Sequence, residues 1–202
     1  IADYMNDLYQ TEITFKQFDA FCAATNREKP DDSEWGRDYR PVINITYNDA
    51  IAYCNWLGNL LNKTIRLPSS EEWEYAARAG STTRYHFGDD PSTLDKYAWF
   101  IQNSKKITNP VAQKEPNAWG LYDMYGNVWE WVNDVDAEGI DGYPAGPRIN
   151  PVGAKEGESR RKRGGSWWKT PDYLRSAARG GQHPDSREDD LGFRLLLELP
   201  SQ

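Results

Sequence analysis

Few side chains in this sequence have the chemistry of a nucleophile, a base or a soft metal ligand. Cysteine occurs twice, at Cys22 and Cys54, and histidine twice, at His86 and His183. Both cysteines fall in helix-like apolar patterns, so buried free thiols are the plain expectation and a disulfide the sharper one. Two histidines without a Gly-x-Ser-x-Gly elbow make no nucleophilic triad. A lone loop histidine is more often structural or exposed than a ligand, and no catalytic residue is assigned. The richest mixture of side chains comes late, in WKTPDYLRSAARGGQHPDSREDD, residues 168–190. Aromatic rings there give contact area at low entropic cost, and arginine gives directed hydrogen bonds. Trp168, Lys169, Thr170, Asp172, Tyr173, Arg175, His183, Asp185, Ser186, Asp189 and Asp190 are therefore the candidate ligand-binding set. For Glu188, Asp189 and Asp190 a plain solvated loop is the preferred explanation. Trp168 and Tyr173 divide evenly between a binding face and the core.

Three short helices precede this segment and must position it. Thr14 caps a run in which Phe15, Phe18, Phe21 and Cys22 recur at helical spacing. Asn48 or Asp49 opens a second, with Ile51, Cys54, Leu57, Leu60 and Leu61 along one face. Ser69 with Glu72 three residues on forms a capping box, Trp73, Ala76 and Ala77 follow, and Gly80 ends the third. Beyond Gly80 the texture turns to short β-leaning pieces among Gly, Pro, Asn and Asp. The alternation in VWEWV (128–132), Arg163 to Trp168, and Leu191 to Leu199 predict strands. Segments 80–120 and 133–162 show little regular pattern, and long irregular loops usually carry function or hold ions. The result is an α+β domain, helices first, then a small antiparallel sheet with loop-heavy connections.

The 202 residues suffice for one domain with a real core. Hydrophobic residues are only 38%, and nine Trp and twelve Tyr supply the missing apolar area. A net charge of −7 argues against nucleic acid, which needs a basic footprint. No apolar run approaches the roughly 20 residues of a membrane span. The chain starts at Ile1, so a signal peptide or anchor further upstream would not be seen.

Four segments together resemble one family. RPVINITYNDAIAYCNWLGNLLNKTIRLPSSEEWEYAARAG (40–80), NAWGLYDMYGNVWEWVND (117–134), RGGSWW (163–168) and LGFRLLLE (191–198) are similar, in this order, to the formylglycine-generating-enzyme or sulfatase-modifying-factor family. The resemblance covers about residues 4 to 199. It implies a C-type-lectin-like fold over a single domain, 1–202, with two helices on a small twisted sheet. The family's opening β-hairpin is missing, which implies a protein extending further upstream.

The resemblance also carries chemistry. It implies a structural calcium ion held by the side chains of Asp123 and Glu130 and the carbonyls of Gly126 and Val128, hard oxygens that offset the ion's charge. The competing explanation is a turn at Gly126–Asn127 with Glu130 on a solvated strand. A second family calcium site, near residues 99–113, is not carried over, because Trp99 and Phe100 fall there. The family's enzymes oxidise a substrate cysteine with two copper-binding cysteines after the GGS strand. Here Lys169 holds the first of those positions and the second falls near Leu174, so copper and its catalysis are not expected. The family's AAR pattern makes Arg175 and Arg179 lean structural. One subset of the family, the variable proteins of diversity-generating retroelements, concentrates sequence change between GGSW and GFR. Thr170, Asp172, Tyr173, His183, Asp185, Ser186, Asp189 and Asp190 are reachable from asparagine codons by adenine changes, whereas Trp168 and Lys169 are not. The expectation is a non-enzymatic protein at the cell surface or otherwise outside the cytoplasm, binding a protein or glycan on another cell or molecule. The alternative is an enzyme or accessory of a biosynthetic pathway, acting on a peptide in the family groove without the copper pair.

Overall fold

The computed structural model describes residues 10–136 and 158–198. Helix α1, Phe15–Thr25, opens on a capping box in which Thr14 and Gln17 satisfy each other's backbone N–H groups. Helix α2, Tyr47–Leu61, starts earlier than the Asn48–Asp49 expectation. Thr46 is its cap, and Asp49 plays the reciprocal part that a glutamate usually takes. Helix α3, Ser70–Arg78, follows the Ser69–Glu72 box as expected. Ala79 at φ 46° and Gly80 at φ 89° then turn the chain away.

The strands are shorter and more mixed than their sequence signals. β1, Ile65–Arg66, pairs antiparallel with β8, Leu196–Leu197, and β2, Ala98–Trp99, pairs parallel with β3, Tyr125–Gly126. The main sheet runs β6-β5-β4-β7, where β4 is Trp129–Asp136, β5 Ser159–Arg163, β6 Arg179–Gln182 and β7 Leu191–Gly192. Its β4–β5 and β5–β6 pairs are antiparallel, but β4–β7 is parallel, so the sheet is not the purely antiparallel one expected. The strand expected over 163–168 ends at Arg163, because Gly164 and Gly165 leave it at φ 96° and 75°. The strand expected over 191–199 is interrupted: Phe193, Arg194 and Leu195 separate β7 from β8, and Leu199 lies outside the described residues.

β4 is buried on both faces along most of its length, and it divides two aromatic cores. Trp129 and Trp131 face α1 and α2, where Tyr53 stacks on Phe18 and meets Phe193 edge to face. Val132 faces Trp73 of α3, Tyr85, Leu94, Met124, Tyr125 and Leu174. The two helices implied by resemblance are three α-helices among the described residues.

Candidate functional site

Two places concentrate polar chemistry. The first lies inside, where β4 passes between the cores. Glu130 is fully buried. Arg194 donates to both of its oxygens at 2.7 Å, and Trp73 Nε1 donates to Oε2 at 2.6 Å. Glu12, from the segment before α1, accepts from Asn127 Nδ2 at 2.7 Å and from Val128 N at 3.1 Å. Asp123 Oδ2 accepts from Ala112 N at 2.7 Å, while its Oδ1 is buried without a partner. Burial, then the charges of Asp123 and Glu130, push the Glu12 carboxyl well above its ordinary range. Burial pushes Asp123 up to about 6.

Three buried carboxylates against one guanidinium leave an excess of negative charge when all are ionised. An orphaned carboxylate oxygen in such a place matches a hard divalent cation in chemistry and in charge. The fit has a limit: both Glu130 oxygens already accept charge-assisted hydrogen bonds. Among the described residues no group of three acidic, histidine or cysteine side chains stands preassembled around a metal. Gly126, at φ 79°, is required whether or not an ion binds, since a Cβ there would lie 2.1 Å from Trp99 O.

The second place is the corner after β5. Gly165 lets the chain turn against the short 3-10 helix Pro171–Leu174; its Cβ would meet Leu174 Cδ1 and Tyr173 O at 2.8 Å. Leu174 is buried beneath, and Tyr85 Oη donates to Pro171 O at 2.9 Å. Asp190 Oδ2 accepts from Ser166 Oγ at 2.8 Å and Trp168 Nε1 at 2.7 Å, which locks the Trp168 indole. The Trp168 ring is nonetheless 47% exposed and Tyr173 53% exposed. Lys169 Nζ lies 3.7 Å from the Trp168 ring centre and 5.6 Å from that of Tyr173. Asp172 pairs with Arg84, and Arg175 Nε donates to Asp172 O at 2.8 Å.

The other half of the late segment is pinned down. Tyr47 N donates to Pro184 O, and Asn44 N to Glu188 O, each at 2.9 Å. Arg187 reaches Asn44 O at 2.8 Å and Asp49 at 3.0 Å. His183, Asp185 and Asp189 are exposed, Lys169 and Ser186 half-buried, and Thr170, Asp172 and Arg175 exposed. Asp190 is not part of a solvated loop: it is buried, because Ser166 and Trp168 need its oxygen. Behind it, Lys162 Nζ donates to Gln182 Oε1 at 3.2 Å. Burial holds the Lys162 amine below its ordinary pKa, against the opposing pull of Asp190 and Glu188. Burial, then Asp190, pushes Asp189 upward.

The remaining reactive types serve the core. Cys22 and Cys54 are free and buried, and burial pushes Cys54 up to about 12, far from a thiolate at neutral pH. His86 stacks on Tyr125 at 5.4 Å with its edge on Tyr97 at 4.7 Å, and burial lowers it to about 4. Glu12 and Lys162 carry no signal in the sequence, and Arg163 shows there only as the start of a strand. Arg163 is fully buried, its guanidinium held by Glu74 at 2.6 Å, Ser70 Oγ at 2.9 Å and Ala178 O at 2.8 Å. The GGS directly after it was the one available signal.

The model of the sulfatase-modifying factor enzyme 1-like domain matches residues 5–199. The chain belongs to the sulfatase-modifying factor family. Within that family it is 36% identical over 190 residues to the formylglycine-generating enzyme of Bos taurus, covering 86% of this chain and 48% of the relative. It is 34% identical over 169 residues to the inactive Cα-formylglycine-generating enzyme 2 of the same species, covering 76% of this chain and 49% of that one. The chain thus spans about half the length of these curated relatives. Among solved structures, Treponema denticola variable protein 1 superposes with a TM-score of 0.78 at 31% identity, over 91% of this chain and 81% of that one. PvdO from Pseudomonas aeruginosa superposes with a TM-score of 0.85 at 30% identity, over 94% and 79%. Sulfatase-modifying factor relatives therefore include a formylglycine-generating enzyme, an inactive counterpart and a variable protein, on one α+β, C-type-lectin-like architecture.

Proposed function

We propose that this member of the family is a binding protein, which presents the rim around Trp168, Lys169 and Tyr173 on a rigid scaffold and performs no copper oxidation. One observation carries the reading. At the corner after the GGS, where the resemblance places a thiol pair, stands a lysine between two exposed aromatic rings. The similarity to a variable protein and to an inactive enzyme 2 supports it. The ligand is a protein or glycan outside the chain, the setting is the cell surface, and retroelement diversification of the exposed positions belongs to the same proposal. A structural calcium ion at the Asp123–Glu130 centre accompanies it. When bound, the ion would supply positive charge there, with Asp123, Glu130 and the Gly126 and Val128 carbonyls as donors.

The test is to offer the immobilised protein a phage-displayed library of random linear peptides and a glycan array, beside Trp168→Ala and Tyr173→Ala variants. Binders that the parent retains and both variants lose are expected. Binders indifferent to both substitutions, or none, sink the reading. A second reading, an enzyme acting on a peptide in the groove without copper, rests on Lys162, a half-buried amine with a lowered pKa beside Asp190. Lys162→Met would then abolish turnover of a peptide while leaving its binding intact.

A further inference from the structure

Resting on the binding reading above, we infer that the ligand of this rim is an acidic peptide segment of a protein partner, with a carboxylate seated on Lys169 and an apolar side chain beside it. Lys169 is held in place: its carbonyl accepts from Ile101 N at 3.3 Å and its own N–H donates to Ser166 O at 3.0 Å. Among the described residues no carboxylate lies within ion-pair distance of its ammonium. Two aromatic faces hold it instead, at 3.7 and 5.6 Å from the ring centres. Aromatic faces attract a cation without neutralising it, so the charge stays available to an incoming anion. Lys162, behind the rim, feels the charges of Asp190 and Glu188 more than that of Lys169, so those two acids face Lys162 more than the rim.

The acidic groups nearby are engaged elsewhere, and among the described residues none forms an ion pair with Lys169. Asp190 is buried and spends its oxygen on Ser166 and Trp168, Glu188 accepts from Gln182 at 3.0 Å, and Asp172 pairs with Arg84. Apolar surface is present as well: Ile101, whose N–H meets the Lys169 carbonyl, is 44% exposed, and Trp168 and Tyr173 are exposed beside Lys169. A stacked sugar suits the place less. The Lys169 ammonium covers one face of the Trp168 ring, and the indole N–H is already committed to Asp190. Ring edges and one free charge favour a carboxylate flanked by an aliphatic or aromatic side chain. The net charge of −7 opposes an acidic peptide at long range, so its affinity has to come from the local contacts at this rim.

The experiment is selection of the same random-peptide library on the parent protein. It is followed by titration calorimetry of the best peptide against parent, Lys169→Met and Lys169→Arg, with melting curves for each. The inference expects enriched peptides with Asp or Glu beside an apolar residue. It expects affinity to fall about tenfold in Lys169→Met, about 1.4 kcal/mol, and to be largely kept in Lys169→Arg. Replacing the peptide's Glu by Gln against unaltered protein should give the same loss, which covers a Lys169→Met that fails to fold. Enriched peptides that need Trp168 but are neutral, or that ignore both exchanges, overturn the inference and leave the binding face standing. Glycans alone on the same face overturn the peptide partner. No binder that depends on Trp168 removes both.

Discussion

Arg194 and Lys169 are both cations beside a tryptophan, and the molecule treats them in opposite ways. Arg194 is buried, bidentate on Glu130, and shares that carboxylate with Trp73. Lys169 is half-buried, rests on the Trp168 and Tyr173 rings, and has no carboxylate within ion-pair distance among the described residues. In the interior an ion removed from water costs several kcal/mol unless it is paired, and Arg194 is tied to Glu130. The surface can, and an unmatched charge there remains free to meet a partner. The difference separates residues that hold the fold from residues that are free to recognise something.

The sharpest way to break that comparison is Glu130→Ala. It strands the Arg194 guanidinium and the Trp73 indole N–H in the core, and about 3–5 kcal/mol of stability should go. Urea unfolding measures this, and a loss below about 1 kcal/mol would place the pair with ordinary surface bridges. Calcium probes the same centre from the other side. At about a hundredfold excess over its dissociation constant it should stabilise the parent by about 2.7 kcal/mol, and the Glu130→Ala variant not at all. A melting temperature indifferent to chelator removes the ion.

A smaller effect comes from His86. Its folded pKa, about 4, lies below the 6.5 of the unfolded chain, so the neutral ring is the form the fold favours. That contribution is complete above pH 6.5 and is lost as pH falls toward 4. Discounted for partial exposure, the loss should be about 1–2 kcal/mol. His86→Phe should flatten the stability profile between those limits relative to the parent; an unchanged slope would assign the pH dependence to the carboxylates. The smallest effect belongs to the rim. Replacing Thr170, Asp172 and Ser186 together should shift stability by no more than about 0.5 kcal/mol each, and a larger loss in thermal melts would move them into the scaffold.

Much of this was readable in advance where the determinants are local. Thr14 with Gln17, and Ser69 with Glu72, announce their helices because both partners lie within four residues. Thr46 was passed over because its reciprocal partner is Asp49, a residue that itself resembles a cap. The exposed aromatics Trp168 and Tyr173 were among the named candidates, since their segment has no core periodicity. Glu12 was invisible: its partner Val128 N lies 116 residues away, and nothing near Thr14 signals a buried acid. Asp190 misled because it closes a Glu-Asp-Asp run that reads as solvated; only the fold brings Ser166 and Trp168 to it. β1 and β8, two residues each, are too short for any period to show.

The late segment is held largely through main-chain atoms: Tyr47 N on Pro184 O, Asn44 N on Glu188 O, Trp129 N on Asp190 O, and Ile101 N on Lys169 O. A tether made of amides and carbonyls is indifferent to which side chain it carries. Its path is therefore heritable separately from its lettering, and new residues at the exposed positions 170, 183 and 185 would arrive already aimed outward. Under the proposed function, such a surface could change partner by single codons without each change having to rediscover how the protein folds.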